Sequence, residues 1–163
     1  MAYLLDADVF IRAKNLHYGF DICPGFWDWI AKANGDGRVF SIEKVQDEIK
    51  AGEDELSQWT AAHAALFLTP SQDTVAALGE VADWVAGQNY TATAIDTFLQ
   101  GADYYLIAEA VAREHDVVTH EIPANSVNRI KIPNVCIGLR VKCLTPFEML
   151  NVEHARFVLE PDP

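Results

Sequence analysis

Short apolar runs alternate along this chain with amphipathic stretches. The first run, Tyr3-Leu4-Leu5, stops at Asp6-Ala7-Asp8, and this pattern predicts a buried strand that ends at a polar edge. The other predicted strands are equally short and lie at residues 39–40, 65–68, 116–119 and 134–137.

Apolar positions at helical spacing fill the segments between these strands. Helices are predicted at residues 9–14, 26–31, 54–63, 71–87, 91–99 and 102–114. Asp8 and Ser41 look like the caps of two helices, and Thr145-Pro146 opens a last short one. Strands that alternate with helices predict a mostly parallel sheet covered on both faces.

Length and composition predict one domain. A chain of 163 residues, half of them hydrophobic, can bury a sizeable core, and we assign residues 1–158 to it and 159–163 to a disordered tail. No run approaches the ~20 apolar residues of a membrane span, so a cytoplasmic protein with no membrane contact is expected. Cys23, Cys136 and Cys143 lack zinc-site spacing and are expected to be reduced thiols.

The formal net charge of −12 disfavours a protein that holds nucleic acid through a general basic surface. A site that collects carboxylates to hold divalent cations is itself a source of negative charge, and the bound cations reverse its sign locally. Net charge alone therefore does not decide between these classes.

Acidic residues just after strands are the first candidates for chemistry, because ligands of open α/β sheets gather outside the carboxyl ends of the strands. Asp6 and Glu121 follow predicted strands, while Glu48 and Asp103 lie on predicted helices that could face the same edge. Hard cations such as Mg²⁺ take carboxylate oxygens as ligands. Judged singly, each acid is more simply a helix cap or a solvated charge, and Asp8 is the clearest example.

Four stretches in order carry a family resemblance. They are Leu4-Leu5-Asp6-Ala7-Asp8-Val9-Phe10, Val45-Gln46-Asp47-Glu48-Ile49, Ala102-Asp103-Tyr104-Tyr105-Leu106-Ile107-Ala108-Glu109-Ala110 and Val117-Val118-Thr119-His120-Glu121. Together they resemble the PIN-domain family, and more narrowly a PIN-like branch of small, largely uncharacterised bacterial proteins. The resemblance to that branch covers nearly the whole chain.

The resemblance implies a three-layer α/β/α sandwich with a central, mostly parallel sheet. It also implies an endoribonuclease that depends on Mg²⁺ or Mn²⁺, often the toxin of a type II toxin-antitoxin module. RNA would be the substrate, and an antitoxin protein and a second copy of the chain are the expected partners.

By position, Asp6, Glu48 and Asp103 would be the three central acids of that family. Glu121 stands where the fourth acid, often Asp, is found. Asp8 replaces the more usual Asn, and Thr119 matches the small hydroxyl residue that ends the last-but-one strand. His120 could orient the substrate or act as an acid, although a lone histidine after a strand more often has a structural hydrogen bond.

Phosphodiester hydrolysis needs an activated water, neutralised phosphoryl oxygens and help for the leaving oxygen, which one or two metal ions supply. On this hypothesis Asp6 and Asp103 bind the main ion directly, and Glu48 and Glu121 bind it through water or hold a second ion. A basic cluster in the C-terminal third could contact phosphates, or could equally be solvated strand edges. Its members are Arg129, Lys131, Arg140 and Lys142.

Two other functions stay open. A DxD pair after a first strand also begins haloacid-dehalogenase-like phosphatases, in which Asp6 would be the nucleophile and Asp8 the acid, although Val9-Phe10 fits that family only in part. A PIN-like fold could also serve as a non-catalytic binding module.

Overall fold

Four of the five predicted strands, with one further strand, form one parallel sheet in the computed structural model, which describes residues 1–162. β1 lies at the centre of the strand order β3-β2-β1-β4-β5, and Leu4 pairs with both Phe40 and Val117. The strands are β1 (Tyr3–Leu5), β2 (Val39–Ile42), β3 (Phe67–Leu68), β4 (Asp116–Val118) and β5 (Cys143–Leu144). Because every pairing is parallel, the carboxyl ends of all these strands meet at one edge.

Helices cover the sheet and give the predicted three-layer α/β/α architecture. A π-helical turn at Ala13–His17 extends the first helix, and a 3₁₀ turn at Ala64–Leu66 precedes β3. The α-helices are α1 (Ala7–Arg12), α2 (Pro24–Gly35), α3 (Glu43–Lys50), α4 (Glu55–Ala62), α5 (Gln72–Ala86), α6 (Ala92–Gln100), α7 (Ala102–Arg113), α8 (Ile132–Leu139) and α9 (Pro146–Val152).

Two of the predicted helix caps are wrong. Asp6, not Asp8, is the N-cap of α1, and its carboxylate accepts a hydrogen bond from the Ala7 N–H. Ser41 lies inside β2, where its hydroxyl donates to the Leu5 carbonyl at 2.6 Å, and Ile42 occupies the cap of α3. The first error arises because Asp6 and Asp8 are both plausible caps by residue type, and the second because a polar residue that ends a short apolar run can still lie inside the strand.

The predicted last strand at 134–137 is also wrong, because this segment belongs to α8 and the last strand is β5. Pro133 stands in the first turn of α8, where its fixed φ and missing N–H are tolerated. Val135 and Cys136 are buried, whereas Ile137 is 66% exposed, so the helix has one apolar face. A short apolar run does not by itself distinguish a buried strand from a buried helix.

The core is apolar on both sides of the sheet and accepts few polar groups. Phe26 and Trp27 of α2 belong to it. Glu109 is the buried charge of α7, and its carboxylate accepts hydrogen bonds from the Thr74 hydroxyl and the Arg113 guanidinium. This pairing satisfies a group that would be costly to bury alone.

Three remaining expectations concern the thiols, the membrane and the tail. The three cysteines are free thiols. None of the helices described over residues 1–162 combines the length and apolar composition that crossing a bilayer requires. Of the predicted tail, residues 159–162 are exposed and outside any helix or strand, and residue 163 lies outside the described residues.

Position 138 in α8 requires glycine, because the Trp84 ring of α5 fills the space that a Cβ atom would occupy. We predict that Gly138→Ala lowers the free energy of unfolding by about 1–3 kcal/mol, because the ring must move. Urea unfolding measures this change in the free energy of unfolding. Gly79→Ala on α5 is the matched control, since its Cβ meets nothing within 4 Å and alanine raises helix propensity. Equal stability of Gly138→Ala and the wild type would contradict the packing described.

Candidate functional site

The four predicted acids line one cleft at the carboxyl edge of the sheet. Asp6 follows β1, Glu121 follows β4, and Asp103 and Glu48 come from α7 and α3. The cleft encloses about 680 Å³. Besides these acids, its lining includes Asp8, Ile11, Arg12, His120, Arg129 and Lys131.

Asp6 is the most buried of the acids, with 6% of its surface exposed. One carboxylate oxygen accepts the Ala7 N–H at 2.7 Å, and the other accepts the Thr119 hydroxyl at 2.8 Å. Burial raises the pKa of Asp6 well above its usual value, and the negative charges of Asp8 and Asp103 raise it further. The hydrogen bond from Thr119 opposes this rise only in part.

Asp8 lies beside Asp6 and is bonded to the segment that follows β4. Its carboxylate accepts the His120 N–H at 3.1 Å, and the Thr119 hydroxyl lies 3.2 Å from the same oxygen. Because Thr119 has one hydroxyl proton, it can bond Asp6 or Asp8 at any moment. The Thr119 hydroxyl and the His120 N–H therefore anchor Asp6 and Asp8 to the segment that follows β4.

The surroundings of the His120 side chain disfavour its protonated form. Burial lowers its pKa, and the charges of Arg12 and His17 lower it further, although Asp8 acts in the opposite direction. The structure gives its backbone a clear role, because the N–H of His120 holds Asp8.

Asp103 is the second residue of α7, and the extended Gly101 separates this helix from α6. Its pKa is raised from 3.8 to about 6. Burial is the largest cause, followed by the negative charges of Glu121 and Glu48, whereas Arg129 acts in the opposite direction. The carboxylates thus lie close enough to one another to resist simultaneous ionisation.

Glu121 has a structural partner as well as a place in the cleft. One carboxylate oxygen accepts the Ile132 N–H at the start of α8 at 2.8 Å, and the other lies 4.0 Å from the Lys131 ammonium. Glu48 is exposed on α3 and faces the same cleft. Glu121 therefore ties the position of α8 to the acidic cleft.

The donor set suits a hard divalent cation, because it consists of carboxylate oxygens and holds no thiol. Among residues 1–162, no three acidic, histidine or cysteine side chains already converge as a ligand group. Carboxylate oxygens already accept hydrogen bonds from protein N–H or O–H groups in Asp6, Asp8 and Glu121. A cation held here by Asp6 and Asp103 would relieve the repulsion that raises both pKa values.

The predicted basic cluster is divided between two ends of the molecule. Arg129 and Lys131 line the acidic cleft. Arg140 and Lys142 lie at the opposite edge, before β5, where the Lys142 ammonium is 3.9 Å from Asp116. The predicted cluster depended on an extended segment at this place in the chain. The structure has α8 there instead, followed by Arg140 in the left-handed conformation.

A second cleft, of about 520 Å³, adjoins the first and was not anticipated from the sequence. The two share Glu48, Asp103, Glu121 and Arg129, so they form one trough that crosses the acids. Polar residues of α6 and the cation Lys44 line the new part, with Thr93, Thr97 and Gln100 among them. The only local signal was Gly101, at which one helix stops and the next begins at a new angle.

Comparison with known proteins gives one result. Residues 3–157 match the model of a family described as a domain of unknown function, DUF4411. No curated protein and no solved structure matches the chain.

The raised pKa of Asp103 predicts a stability change in Asp103→Asn. In chelator-treated protein at about pH 7.5, this variant should gain about 1–3 kcal/mol in free energy of unfolding, because the buried charge costs stability once ionised. The folded carboxyl ionises only near pH 6, whereas the unfolded one ionises near 3.8, so wild type loses stability between these values. The gain should therefore vanish at about pH 4 or below.

Urea unfolding at the two pH values measures this difference. Asp28→Asn, an exposed change on α2, is the matched control and should not alter the free energy of unfolding at either pH. An Asp103→Asn variant that is no more stable than wild type at the higher pH would contradict the repulsion inferred here.

Proposed function

The chain belongs to the DUF4411 family, and on the chemistry of its cleft we propose that it is a metal-dependent endoribonuclease that hydrolyses RNA phosphodiesters. One observation carries the proposal. Four carboxylates from different parts of the chain line one cleft, and the pKa values of Asp6 and Asp103 are raised partly by their negative neighbours. Clustered groups with shifted pKa values are typical of functional sites.

Two further features support the same class of reaction. The four stretches that resemble PIN domains contribute their acids in the order and strand context that the resemblance implies. Carboxyl edges of parallel sheets are also where open α/β proteins bind their ligands.

In the proposed reaction, Asp6 and Asp103 would hold the main cation, and Glu48 and Glu121 would help to hold it or would bind a second ion. When bound, Mg²⁺ or Mn²⁺ supplies charge neutralisation at the phosphoryl oxygens and activation of the attacking water. Thr119 orients Asp6 through its hydroxyl, and the His120 N–H orients Asp8. Asp8, Thr119 and His120 are thus positioning residues.

In this proposal the basic side chains of the trough bind the phosphates and locally offset the net negative charge of the chain. Arg12 and Lys131 line the acidic cleft, Lys44 lines the adjoining one, and Arg129 lines both. Side chains of this kind fix the register of a nucleic-acid backbone. The hydroxyl and amide groups of α6 add hydrogen-bonding partners that a ribose or a base can use.

The toxin role, an antitoxin protein, a homodimer and a cytoplasmic location stay predictions attached to this proposal. The phosphatase alternative has less support, because that chemistry uses a lysine near the nucleophile. Among residues 1–162, no lysine forms an ion pair with Asp6, and Lys131 faces Glu121 instead. A beryllofluoride adduct on Asp6 would favour the phosphatase.

Incubation of the purified protein with mixed RNAs and Mn²⁺ tests the nuclease directly. We expect cleavage that chelation abolishes. Asp6→Asn and Asp103→Asn should each lower it by more than about 100-fold, since even the outer partners of a metal contribute ~10–100-fold. Asp28→Asn should cleave as wild type does. Equal cleavage by wild type and the cleft variants would mean a contaminating nuclease, and RNA binding without cleavage would favour the binding module.

The division of the basic residues gives a second test. Arg129→Gln should raise KM for RNA by about tenfold, the equivalent of ~1.4 kcal/mol, because one charged phosphate contact is lost. It should also make binding less dependent on salt. Arg140→Gln removes the same charge at the opposite edge and should change neither property. Equal effects of the two variants would show that charge acts only at long range and not through the trough.

A further inference from the structure

Three aromatic rings lie together beside the acidic cleft and have no part in the reaction proposed above. The ring centres of His17 and His120 are 5.6 Å apart with an angle of 28° between their planes. The Phe147 ring lies edge-on to both, at 5.2 Å from His17 and 5.6 Å from His120. His120 also lines the cleft itself, so the cluster is continuous with it.

Each ring comes from a different part of the fold and is held there by its backbone. The π-helical turn ends at His17 and is closed by the Tyr18 N–H, which donates to the Ala13 carbonyl at 2.7 Å. Asp8 holds the backbone of His120, and Phe147 follows Pro146 in the capped first turn of α9. Single π-helical turns within helices often occur at functional sites.

Two of the three rings, His17 and Phe147, are exposed, whereas the phenylalanine, tyrosine and tryptophan side chains elsewhere in residues 1–162 are buried or half-buried. Phe147 is 43% exposed and His17 is an exposed residue, whereas Phe26 and Trp27 contact each other inside the core. Core packing therefore does not account for the three rings. Through His120 the cluster reaches a cleft whose other lining side chains are mostly charged.

We infer that His17, His120 and Phe147 form a stacking platform for the base of the nucleotide next to the phosphate that is cut. This inference rests on the proposed function, because it takes single-stranded RNA as the ligand of the cleft. Unstacked bases of single strands bind aromatic and histidine rings, whereas bases within a duplex are already stacked. His120 lies between Thr119, which bonds Asp6, and Glu121, so a base on its ring belongs to a nucleotide at the acids.

The platform gives the protein a requirement for single strands that the carboxylates alone do not supply. A metal ion held by the carboxylates would recognise the phosphate, and the cations of the trough would recognise the backbone. Phosphates and backbone are present in duplexes as well as in single strands. A ring surface that accepts one base admits the substrate only after that base has left its stack. Stacking tolerates every base, so strandedness should matter more than sequence.

Binding of a short labelled RNA, followed by fluorescence anisotropy in Ca²⁺, tests the platform. The comparison is with an oligonucleotide of the same length whose bases are removed one at a time. Wild type should bind the intact strand about tenfold more tightly than the strand lacking the base next to the cut. Phe147→Ala and His17→Ala should lose that difference and keep the affinity for the abasic strand.

Two control variants separate stacking from folding. Phe147→Trp keeps a ring at the same position and should retain the preference for the intact strand. Val152→Ala removes an exposed apolar side chain from the same helix and should change nothing. Melting temperatures of all the variants show whether each is folded.

The outcomes distinguish this inference from the proposed function. Cleavage by wild type with Mn²⁺ but no preference for the intact strand overturns the platform and leaves the nuclease standing. A preference that depends on Phe147 without any cleavage overturns the nuclease and leaves the three rings as the base-stacking surface of a binding module. Absence of both binding and cleavage overturns both, and a preference that survives Phe147→Ala and His17→Ala overturns the platform.

Discussion

Parallel pairing of β1 with both of its neighbours is the constraint on which the site depends. Leu4 pairs with Phe40 on one side and Val117 on the other, so β1 and β4 end at the same level. Asp6 and Thr119 therefore meet across 113 residues of sequence, at 2.8 Å. Asp103 and Glu48 reach the same edge from helices. The fold thus brings like charges together in a partly buried place, which costs stability.

The surrounding structure offsets part of this cost with groups that donate hydrogen bonds or carry positive charge. Thr119 bonds Asp6, the His120 N–H bonds Asp8, the Ile132 N–H bonds Glu121, and Arg129 lowers the pKa of Asp103. The compensation is incomplete, since the pKa values of Asp6 and Asp103 remain raised. A divalent cation is the species that would complete it, and this is the physical reason for preferring a metal-dependent reaction.

Sequence predicted those parts of the molecule that local pattern determines. The strand before Asp6, the strand before Thr119 and the long helices α5 and α7 follow from apolar spacing, and the acids at strand ends follow from topology. Residues 134–137 were assigned wrongly because a short apolar run is ambiguous, and that error joined Arg140 and Lys142 to a cluster they do not enter. His17 and Phe147 meet only through tertiary packing, which leaves no local trace.

Calorimetric titration of the chelator-treated protein with Mn²⁺ at about pH 6, in two buffers of different ionisation enthalpy, tests the central claim most directly. Mn²⁺ should bind saturably and release protons, because carboxyls with raised pKa values must ionise to accept it. Both the binding and the proton release should be lost in a variant with Asn at positions 6 and 103. Absence of binding by wild type, or binding that this double variant retains, would contradict the account.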